Sequence, residues 1–362
     1  MSLMLFSCEV SSGGSGSPDV PDTPDTPDDG IYQFHSIVTY LDAGTDGTAG
    51  TSGTYCLFGD WPQTVKEQDV EVDESQSITM GGATYYLGSD KNYYVKCTEN
   101  AYEPKYTYSD GTAVNNGNIQ YFKVEPIKWR VLNPGVTNGN KILLAEKALT
   151  ANVPYYWTTS WRKLNEKSIY PNNYMYSNIR VYLNGNPNQF VTDGGTATEY
   201  DIDWTGKGFF QTAFTVAAQG LIADTKVDNT AASANPASNA ELWNNGEKTY
   251  ACGETKDKIF LLSEKEVTAS DYGFADYNVY INDGNGTTQS SRVRKPSDFV
   301  IANYAWQGTS NTNFGVRWML RSPFFNDDGA TCEILSSGEA DGWMPVTEHF
   351  DSIVPALSIS AK

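Results

Sequence analysis

The sequence predicts an α+β fold that is rich in β-strands and contains a few short helices. Strand-like runs precede, separate and follow the helical segments, which is the order expected of an α+β fold rather than of a parallel α/β sheet. Aromatic residues make up 13% of the 362 residues, with 23 Tyr and 9 Trp, and there are 32 Gly. Because aromatic residues favour strands and glycine favours turns, this composition indicates β-structure with many turns.

The first strands are predicted in the runs "YCLFGDWPQTV" (55–65) and "GGATYYLGSDKNYYVKC" (81–97), where apolar and aromatic stretches are bounded by Gly and Asp. A longer hairpin of core strands is predicted next. Its strands are "YFKVEPIKWRVL" (121–132) and "GNKILLAEKAL" (139–149), which are joined by the turn-rich loop "NPGVTNGN" (133–140).

Two helices are predicted in the middle of the chain. In "SNIRVYLNG", Ser177 is the expected N-cap and Gly185 the expected C-terminal stop. The segment "GFFQTAFTVAAQGLIAD" (208–224) predicts one continuous helix, because Phe210, Phe214, Ala217 and Leu221 then share a face.

Two further helix starts follow towards the C-terminus. In "KIFLLSEKEVTAS" (258–270) a strand is expected to run into a capping box formed by Ser263 and Glu266. In "KPSDFVIANYAWQ" (295–307) either Ser297 or Asp298 is the expected cap of a short helix.

Charge and histidine content exclude several classes of function. The formal net charge is −19, which argues against nucleic acid as a partner and against binding of anionic lipid through a basic patch. Only His35 and His349 are available for a histidine-based metal site or a Ser-His-Asp triad. We therefore expect no cofactor, no metal and no nucleic-acid partner.

The N-terminal sequence suggests a lipid anchor. In "LFSC", Leu5 stands three residues before Cys8 and a small Ser immediately before it, which resembles the lipobox of bacterial lipoproteins. Residues 1–8 are interpreted as a residual signal peptide with Cys8 as the lipidation site. Lipidation predicts a cell-surface protein anchored in the outer membrane, with the lipid as its only membrane contact. A chance Cys near a ragged terminus is the alternative.

The next segment, residues 9–30, has the composition of a disordered stalk. It is rich in Gly and Ser and then repeats Pro at three-residue spacing, at Pro18, Pro21, Pro24 and Pro27. That period matches polyproline II, which at about 3.1 Å per residue would hold a domain roughly 60 Å from a membrane. Residues 31–362 are predicted to form a single domain beyond this stalk. A disordered terminus without this role is the alternative.

The remaining cysteines and one acidic turn leave alternatives open. Cys56, Cys97, Cys252 and Cys332 have no zinc-motif spacing, and in an exported protein they could form disulfides or remain buried thiols. The sequence "INDGNG" (281–286) alternates Asp, Asn and Gly as some Ca²⁺ loops do, but it lacks the bidentate Glu. A plain turn is the favoured interpretation there.

Six motifs in order carry a family resemblance: "FGDWPQTV" (58–65), "YFKVEPIKWRVL" (121–132), "ILLAEKALTANVPYY" (142–156), "DKIFLLSEKEVTASDYGF" (257–274), "WMLRSP" (318–323) and "VPALSI" (354–359). Together they resemble a family of bacterial extracellular domains, often found on spirochaete lipoproteins. That family is similar to the formylglycine-generating-enzyme branch of the C-type lectin fold. The resemblance spans Ser36 to Ile359 and implies a C-type-lectin-like domain.

Within that family, the lipoprotein start and the C-terminal block most resemble variable lipoproteins whose last segment is rewritten by a diversity-generating retroelement. The resemblance implies a variable ligand-binding region at about 315–352, in which substitution of AAY codons yields many residues but never Trp, Met, Glu, Gln or Lys. The expected ligand-binding residues are Phe324, Phe325, Asn326, Asp327, Asp328, Thr331, Cys332, Ser336, Ala340, Asp341, His349 and Phe350.

The same rule implies that Glu333, Glu339 and Trp343 belong to the scaffold, and Trp318 is also expected there. The apolar runs "RWMLR" (317–321) and "IVPALSI" (353–359) are predicted to be core strands that hold the polar segment between them. Phe324 and Phe325 would then be exposed anchors for a ligand. A polar loop excursion without diversification is the alternative.

These observations predict a surface-displayed lipoprotein that binds an unknown protein or glycan on a host or neighbouring cell, and not an enzyme. The formylglycine-generating activity of the related branch depends on a cysteine pair, and Cys332 is the only cysteine of the C-terminal region. The alternatives are an invariant surface lipoprotein or adhesin with a structural role, and a carboxylate-dependent hydrolase drawing on the 44 Asp and Glu residues.

Overall fold

The computed structural model describes residues 30–42, 54–103, 106–230, 233, 253–275, 291–305, 315–324, 327–340 and 342–361. The predicted lipidation site Cys8, the stalk up to residue 29, Cys252 and the turn at 281–286 lie outside these residues. In the part of the chain that is described, no helix is both long and apolar enough to cross a membrane.

Strands dominate the described residues. In chain order they are β1 (Thr39–Tyr40), β2 (Tyr55–Val65), β3 (Val72–Met80), β4 (Ala83–Gly88), β5 (Tyr93–Thr98), β6 (Ile119–Val131), β7 (Gly139–Ala145), β8 (Lys147–Ala148), β9 (Arg162–Leu164), β10 (Lys167–Ile169), β11 (Thr225–Val227), β12 (Thr255–Asp257), β13 (Ile259–Phe260), β14 (Lys295–Pro296), β15 (Trp318–Pro323), β16 (Ala330–Ile334), β17 (Gly342–Pro345) and β18 (Ala356–Ala361).

The helices are few and short, so the fold is β-rich α+β as the sequence predicts. They are α1 (Asn178–Asn184), α2 (Gln189–Thr192), α3 (Phe209–Ala213), α4 (Val216–Gln219) and α5 (Asp298–Ala302), with 3₁₀ turns at Tyr174–Tyr176, Glu266–Thr268 and Ser270–Tyr272.

A nine-stranded sheet organises the molecule, in the order β13-β18-β7-β6-β5-β4-β3, with β2 also paired to β6 and β1 paired to β2. The long strand β6 makes this possible, because its first half pairs with β5, its last residues pair with β7, and β2 runs antiparallel along it. The predicted hairpin of β6 and β7 is confirmed. The C-terminal strand β18 lies between β13 and β7, so the end of the chain is anchored inside the sheet.

Strand β2 contains a bulge that only glycine fits well. Its register with β6 shifts between Leu57 and Asp60, and Gly59 in this interval has a φ of +67°. A Cβ at Gly59 would come within 2.4 Å of the Phe214 ring. Glycine therefore allows both the left-handed backbone and the close approach of Phe214 to the sheet.

Local cap signals are confirmed at three helix starts. The Ser177 hydroxyl accepts a hydrogen bond from the Arg180 N–H at 3.3 Å, and Gly185 ends α1 in the left-handed conformation. Ser297, rather than Asp298, caps α5. Ser263 and Glu266 exchange the two hydrogen bonds of a capping box, although the turn that follows is a 3₁₀ turn.

The predicted single helix over 208–224 is wrong, because the chain there forms two short helices. Phe214 between α3 and α4 has an extended backbone, with φ −133° and ψ 129°. Its buried ring packs against Phe58 at 5.2 Å and against Trp129 at 6.3 Å between centroids. Burial of this ring against the sheet outweighs helical continuity, and Thr215 restarts the helix as the N-cap of α4.

The C-terminal segment is more regular than predicted. Strand β15 does not pair with β18; it begins a separate three-stranded antiparallel sheet in the order β15-β16-β17. Residues 322–343, expected to be an irregular excursion between two core strands, therefore contain the whole of β16 and the first two residues of its partner strand β17. Among the side chains described in this segment, the one that is exposed rather than buried or half-buried is that of Trp343, which lies on β17.

Candidate ligand-binding surface

Four of the predicted ligand-binding residues lie inside the protein. Strand β16 is covered on both faces, and all five of its residues are buried, including Thr331 and Cys332. The Cys332 thiol donates towards the Pro323 carbonyl at 3.6 Å. Ala340 is fully buried and Ser336 is 9% exposed. Thr331 and Cys332 are corrected to scaffold because both faces of β16 are covered, and Ser336 and Ala340 because their own side chains are buried.

Phe324 is also closer to the core than predicted. It is half-buried and packs against the main hydrophobic core, and its N–H donates to the Ala330 carbonyl at 3.1 Å. It therefore supports the turn that follows instead of acting as an exposed anchor. Phe325, Asn326 and Asp341 lie outside the described residues.

Asp327 and Asp328 occupy a turn that is held from below by Asn172. This fully buried side chain donates through Nδ2 to the Asp327 carbonyl at 3.1 Å and to the Ala330 carbonyl at 2.9 Å. The Asn172 N–H donates to the Asp328 carbonyl at 3.1 Å, and the Asp327 carboxylate accepts from the Gly329 N–H at 2.9 Å. The turn is therefore fixed by neutral hydrogen bonds from Asn172 to its backbone and by one bond that the Asp327 carboxylate accepts.

Two exposed indole rings lie beside these carboxylates. Trp343 is 47% exposed and donates from Nε1 to Asp327 Oδ2 at 3.1 Å. Trp161 is 45% exposed, and its indole N–H lies near enough to the Asp328 carboxylate to lower the pKa of that carboxyl. Trp343, expected to belong to the scaffold, is therefore exposed at the surface, whereas Trp318, also expected there, is fully buried. We call Trp161, Asp327, Asp328 and Trp343 the tryptophan end.

Burial raises the pKa of Asp328 above its usual value. The hydrogen bond from Trp161 opposes this rise, and the negative charge of Asp327 adds to it. One of its oxygens, Oδ2, has no hydrogen-bond partner among the described residues although it is screened from water. A charge on this unsatisfied oxygen is costly, which agrees with the raised pKa of Asp328.

A second aromatic group gathers around His349, which was predicted to bind ligand. The His349 imidazole stacks on the Tyr304 ring with centroids 4.8 Å apart and an angle of 10° between planes, and it lies 5.9 Å from the Trp157 ring. Tyr102 contacts Tyr304 at 5.4 Å and Phe350 at 5.1 Å. We call Tyr102, Trp157, Tyr304, His349 and Phe350 the aromatic cluster.

Tyr304 has a backbone conformation that is unusual for its residue type. Its φ is +70°, in the left-handed region that a bulky side chain adopts at a cost. The residue follows α5 and is half-buried, so its ring is directed by the end of that helix towards His349. Conformations of this kind concentrate at functional sites, which makes Tyr304 a residue of interest.

The two groups lie along one stretch of surface, which we call the binding face. The segment from Trp157 to Trp161 links them, since Thr159 lies beside Gly329 in the turn of the tryptophan end, where a Cβ added to the glycine would be 3.4 Å from the Thr159 methyl group. The Tyr156 N–H donates to the Val346 carbonyl, and the Val346 N–H donates to the Gly329 carbonyl, both at 2.8 Å. Backbone hydrogen bonds therefore tie the linking segment, β17 and the turn together.

Residues 138–361, more than half of the chain, match the model of a family described as a domain of unknown function (DUF6273). The chain belongs to the DUF6273 family. No curated protein and no solved structure gives a significant match to it.

The DUF6273 match covers β7 to β18 and hence nearly all of the binding face. Only Tyr102 of the face, together with β1 to β6, precedes the matched residues. Because β6 and β7 are paired neighbours, the main sheet joins the matched residues to the preceding strands.

Beneath the aromatic cluster of this DUF6273 chain lies a charged group. Arg317 binds the Glu333 carboxylate with two hydrogen bonds, one of them from Nε at 2.7 Å, and its guanidinium lies 5.3 Å from the centre of the Phe350 ring. Asp351 Oδ1 is 3.4 Å from Arg317 Nε. Glu333 is buried and ion-paired, which agrees with its expected place in the scaffold. Burial and the neighbouring Glu333 raise the pKa of Asp351 well above its usual range.

Sequence reasoning missed Tyr102, Trp157, Trp161 and Tyr304, because it looked for the site only in the C-terminal segment. The motif "WTTSW" (157–161), with two Trp residues around three small polar ones, is the one local signal that could have pointed to them. Chemically, the face offers rings for stacking and carboxylates that accept hydrogen bonds. The described residues contain no group of three or more His, Cys, Asp or Glu side chains placed to hold a metal ion.

Proposed function

We propose that this DUF6273 chain is a surface-displayed lipoprotein that binds ligands through the binding face. The observation that supports this most is the exposure of Trp161 and Trp343 next to a carboxylate pair whose backbone is fixed from below. Rigid, exposed aromatic side chains with polar partners are characteristic of recognition surfaces, because they give contact area at low conformational cost.

The chemistry of the face favours a neutral or cationic ligand. Asp327, Asp328 and Glu348 contribute acidic groups, while Arg317 is engaged with Glu333 and Asp351 below the surface. The chain as a whole carries a formal net charge of −19, which would repel polyanions at low ionic strength. A protein or glycan without strong negative charge therefore fits the proposal best.

A C-type-lectin-like fold is part of the proposal. Its support is the order of the six sequence motifs and the position of β18 inside the main sheet, which anchors the end of the chain next to the binding face. Lipid anchoring at Cys8 and a Pro-Asp stalk would place the domain outside the outer membrane, where such a face can meet a host or neighbouring cell.

Diversification of the face is proposed on the resemblance to the Treponema variable protein and its retroelement. Among the described residues, partial solvent exposure favours Asp327, Asp328, His349 and Phe350 as variable positions. Thr331, Cys332 and Ala340 are expected to stay fixed because substitution there would disturb the core. Trp343 is exposed but out of reach of AAY codons, so it would be a fixed member of a changing surface.

Binding is tested with a panel of neutral, amine-bearing and sulfated oligosaccharides and extracellular matrix proteins. The double variant Trp161→Ala/Trp343→Ala is compared with Val216→Ala, which removes an apolar side chain that is 85% exposed on α4. We expect saturable binding to a neutral or cationic member, about tenfold or more weaker in the tryptophan variant and unchanged in the Val216 variant. Equal binding by all three proteins would remove the face from the proposal.

Diversification is tested by sequencing the 3′ end of the gene and its downstream region from many single colonies. Substitutions confined to codons between Ser322 and Ile353, and matched to adenines in a nearby copy beside a reverse transcriptase gene, would support it. An invariant end with no such copy would leave an ordinary surface lipoprotein with a fixed ligand.

A further inference from the structure

Two buried carboxyl groups and one partly buried guanidinium lie below the aromatic cluster. Asp351 is fully buried and Glu333 is 1% exposed, and both lie against the single guanidinium of Arg317. Arg317 gives Glu333 its two hydrogen bonds, whereas Asp351 is 3.4 Å away and receives none from it. Two carboxylates and one guanidinium would leave an uncompensated negative charge, which is costly in a buried site.

Hydrogen bonds do not compensate Asp351 either. Among the described residues, no side-chain or backbone donor bonds to either of its carboxyl oxygens. The other charged group that faces it is Glu348, whose negative charge also disfavours ionisation of Asp351. Its contact with Glu333 is favourable only when one of the two carboxyls carries a proton, because a carboxylic acid can donate to a carboxylate and two carboxylates repel.

The backbone around Asp351 connects the Asp351 and Glu333 pair to the aromatic cluster. Asp351 directly follows His349 and Phe350 of the aromatic cluster. The His349 carbonyl accepts from the Asn152 N–H at 2.8 Å, and the Ser352 N–H donates to the Arg317 carbonyl at 2.9 Å. Since residues 349–352 are held at both ends, Asp351 cannot reach water unless one of these attachments opens and the rings of His349 and Phe350 shift.

We propose that Asp351 and Glu333 share one proton, and that this proton keeps the aromatic cluster in its packed form, so that loss of the proton as pH rises opens residues 348–352 and weakens binding at this end of the face. The consequence for binding rests on the proposed function; the local opening does not. The bond that changes is the O–H of the shared proton, which passes to solvent base.

The direction follows from the protonation states. An opened Asp351 titrates like an ordinary aspartate, whereas the closed pair retains its proton to higher pH. Between these two pKa values the closed form binds more protons than the open form, so closing is favoured at low pH and is lost as pH rises through the window. For a one-proton change, the opening constant rises by up to about tenfold per pH unit within that window.

The experiment is amide hydrogen exchange of residues 346–353 in the full chain without ligand, over about pH 5 to 9 and corrected for intrinsic exchange rates, because buried carboxyls titrate in this range. Wild type is compared with Asp351→Asn and with Glu333→Gln, each of which leaves one carboxylate for Arg317. Asp257→Asn is the matched control, since buried Asp257 is paired one to one with Arg180 at 2.8 Å.

We expect protection in wild type and in the Asp257 variant to fall with rising pH, and protection in a folded Asp351 or Glu333 variant to stay flat. Protection in wild type that does not change with pH would overturn the proposal, as would an unchanged slope in both neutral variants. A pH-dependent opening without any ligand in the binding panel would refute the proposed function and leave the protonation switch intact.

Discussion

The two ends of the binding face are supported in different ways. The tryptophan end rests on Asn172, a neutral side chain that bonds to backbone carbonyls. The aromatic cluster rests on Arg317, Glu333 and Asp351, which are charged and carry one acid more than they have bases. The hydrogen bonds from the Asn172 amide do not change with pH, whereas the charge of the Arg317 group depends on a bound proton. The local stability of the two ends is therefore expected to change differently with pH.

The same difference predicts at which end the sequence can vary without changing the shape of the binding face. Asn172 at the tryptophan end acts on the backbone of residues 327–330, so the side chain of Asp328 can change while the turn keeps its form. The Asp327 carboxylate also accepts from the Gly329 N–H, so a change there removes one bond of the turn. At the aromatic cluster the support acts through the side chains of Glu333 and Asp351, next to Phe350. We expect substitutions to be tolerated more readily at the first end than at the second.

The largest effect is expected from Asn172→Ala. The change removes two hydrogen bonds to the Asp327 and Ala330 carbonyls and leaves a cavity, which together should lower the free energy of unfolding by about 2 to 3 kcal/mol. Urea denaturation measures it. Asn115→Ala is the control, since the exposed Asn115 side chain donates a single bond to the Ala113 carbonyl and should cost less than about 0.5 kcal/mol.

If Asn172→Ala and Asn115→Ala proved equally mild, neutral support of the turn would not be what holds the tryptophan end. The contacts of Trp161 and Trp343 would then be the main interactions that hold this turn.

A smaller effect is expected from Trp343→Phe. Phenylalanine keeps an exposed ring but cannot donate to Asp327 Oδ2, so about 1 kcal/mol of local stabilisation should be lost. Hydrogen exchange at the Gly329 amide, which bonds to the same carboxylate, should become about fivefold faster. Exchange of residues 349–352 is the internal control and should not change, because the aromatic cluster has its own support. Acceleration at both ends would show that they are one unit.

Local sequence signals predicted what local contacts determine. Ser177 and Gly185 bound α1 as expected because a cap needs only its own turn. Phe214 broke the next predicted helix because its ring is drawn to Phe58 and Trp129, which lie far away in sequence. No local pattern could reveal such a contact.

The candidate site divides in the same way. The C-terminal segment was identified from its composition, but which side chains point outwards depends on how the β15-β16-β17 sheet packs against the rest of the domain, and this packing buries Thr331 and Cys332. Tyr102 and Tyr304 meet at 5.4 Å although about two hundred residues separate them in the chain. Their contribution needed the three-dimensional arrangement.

The smallest effect is expected when one acid at each end, Asp328 or Asp351, is replaced by asparagine. Burial raises the pKa of both Asp328 and Asp351, so each carboxyl stabilises the folded state most at low pH and loses that contribution as pH rises through its own window. Asp328 is half-buried, so that part of its side chain is hydrated, whereas Asp351 is fully buried beside Glu333. Unfolding free energies measured across that pH range should therefore show a nearly unchanged slope in Asp328→Asn and a clearly reduced slope in Asp351→Asn. Equal slopes in the two variants would mean that Asp351 is no more sensitive to pH than Asp328. The two ends would then differ in structure but not in their response to pH.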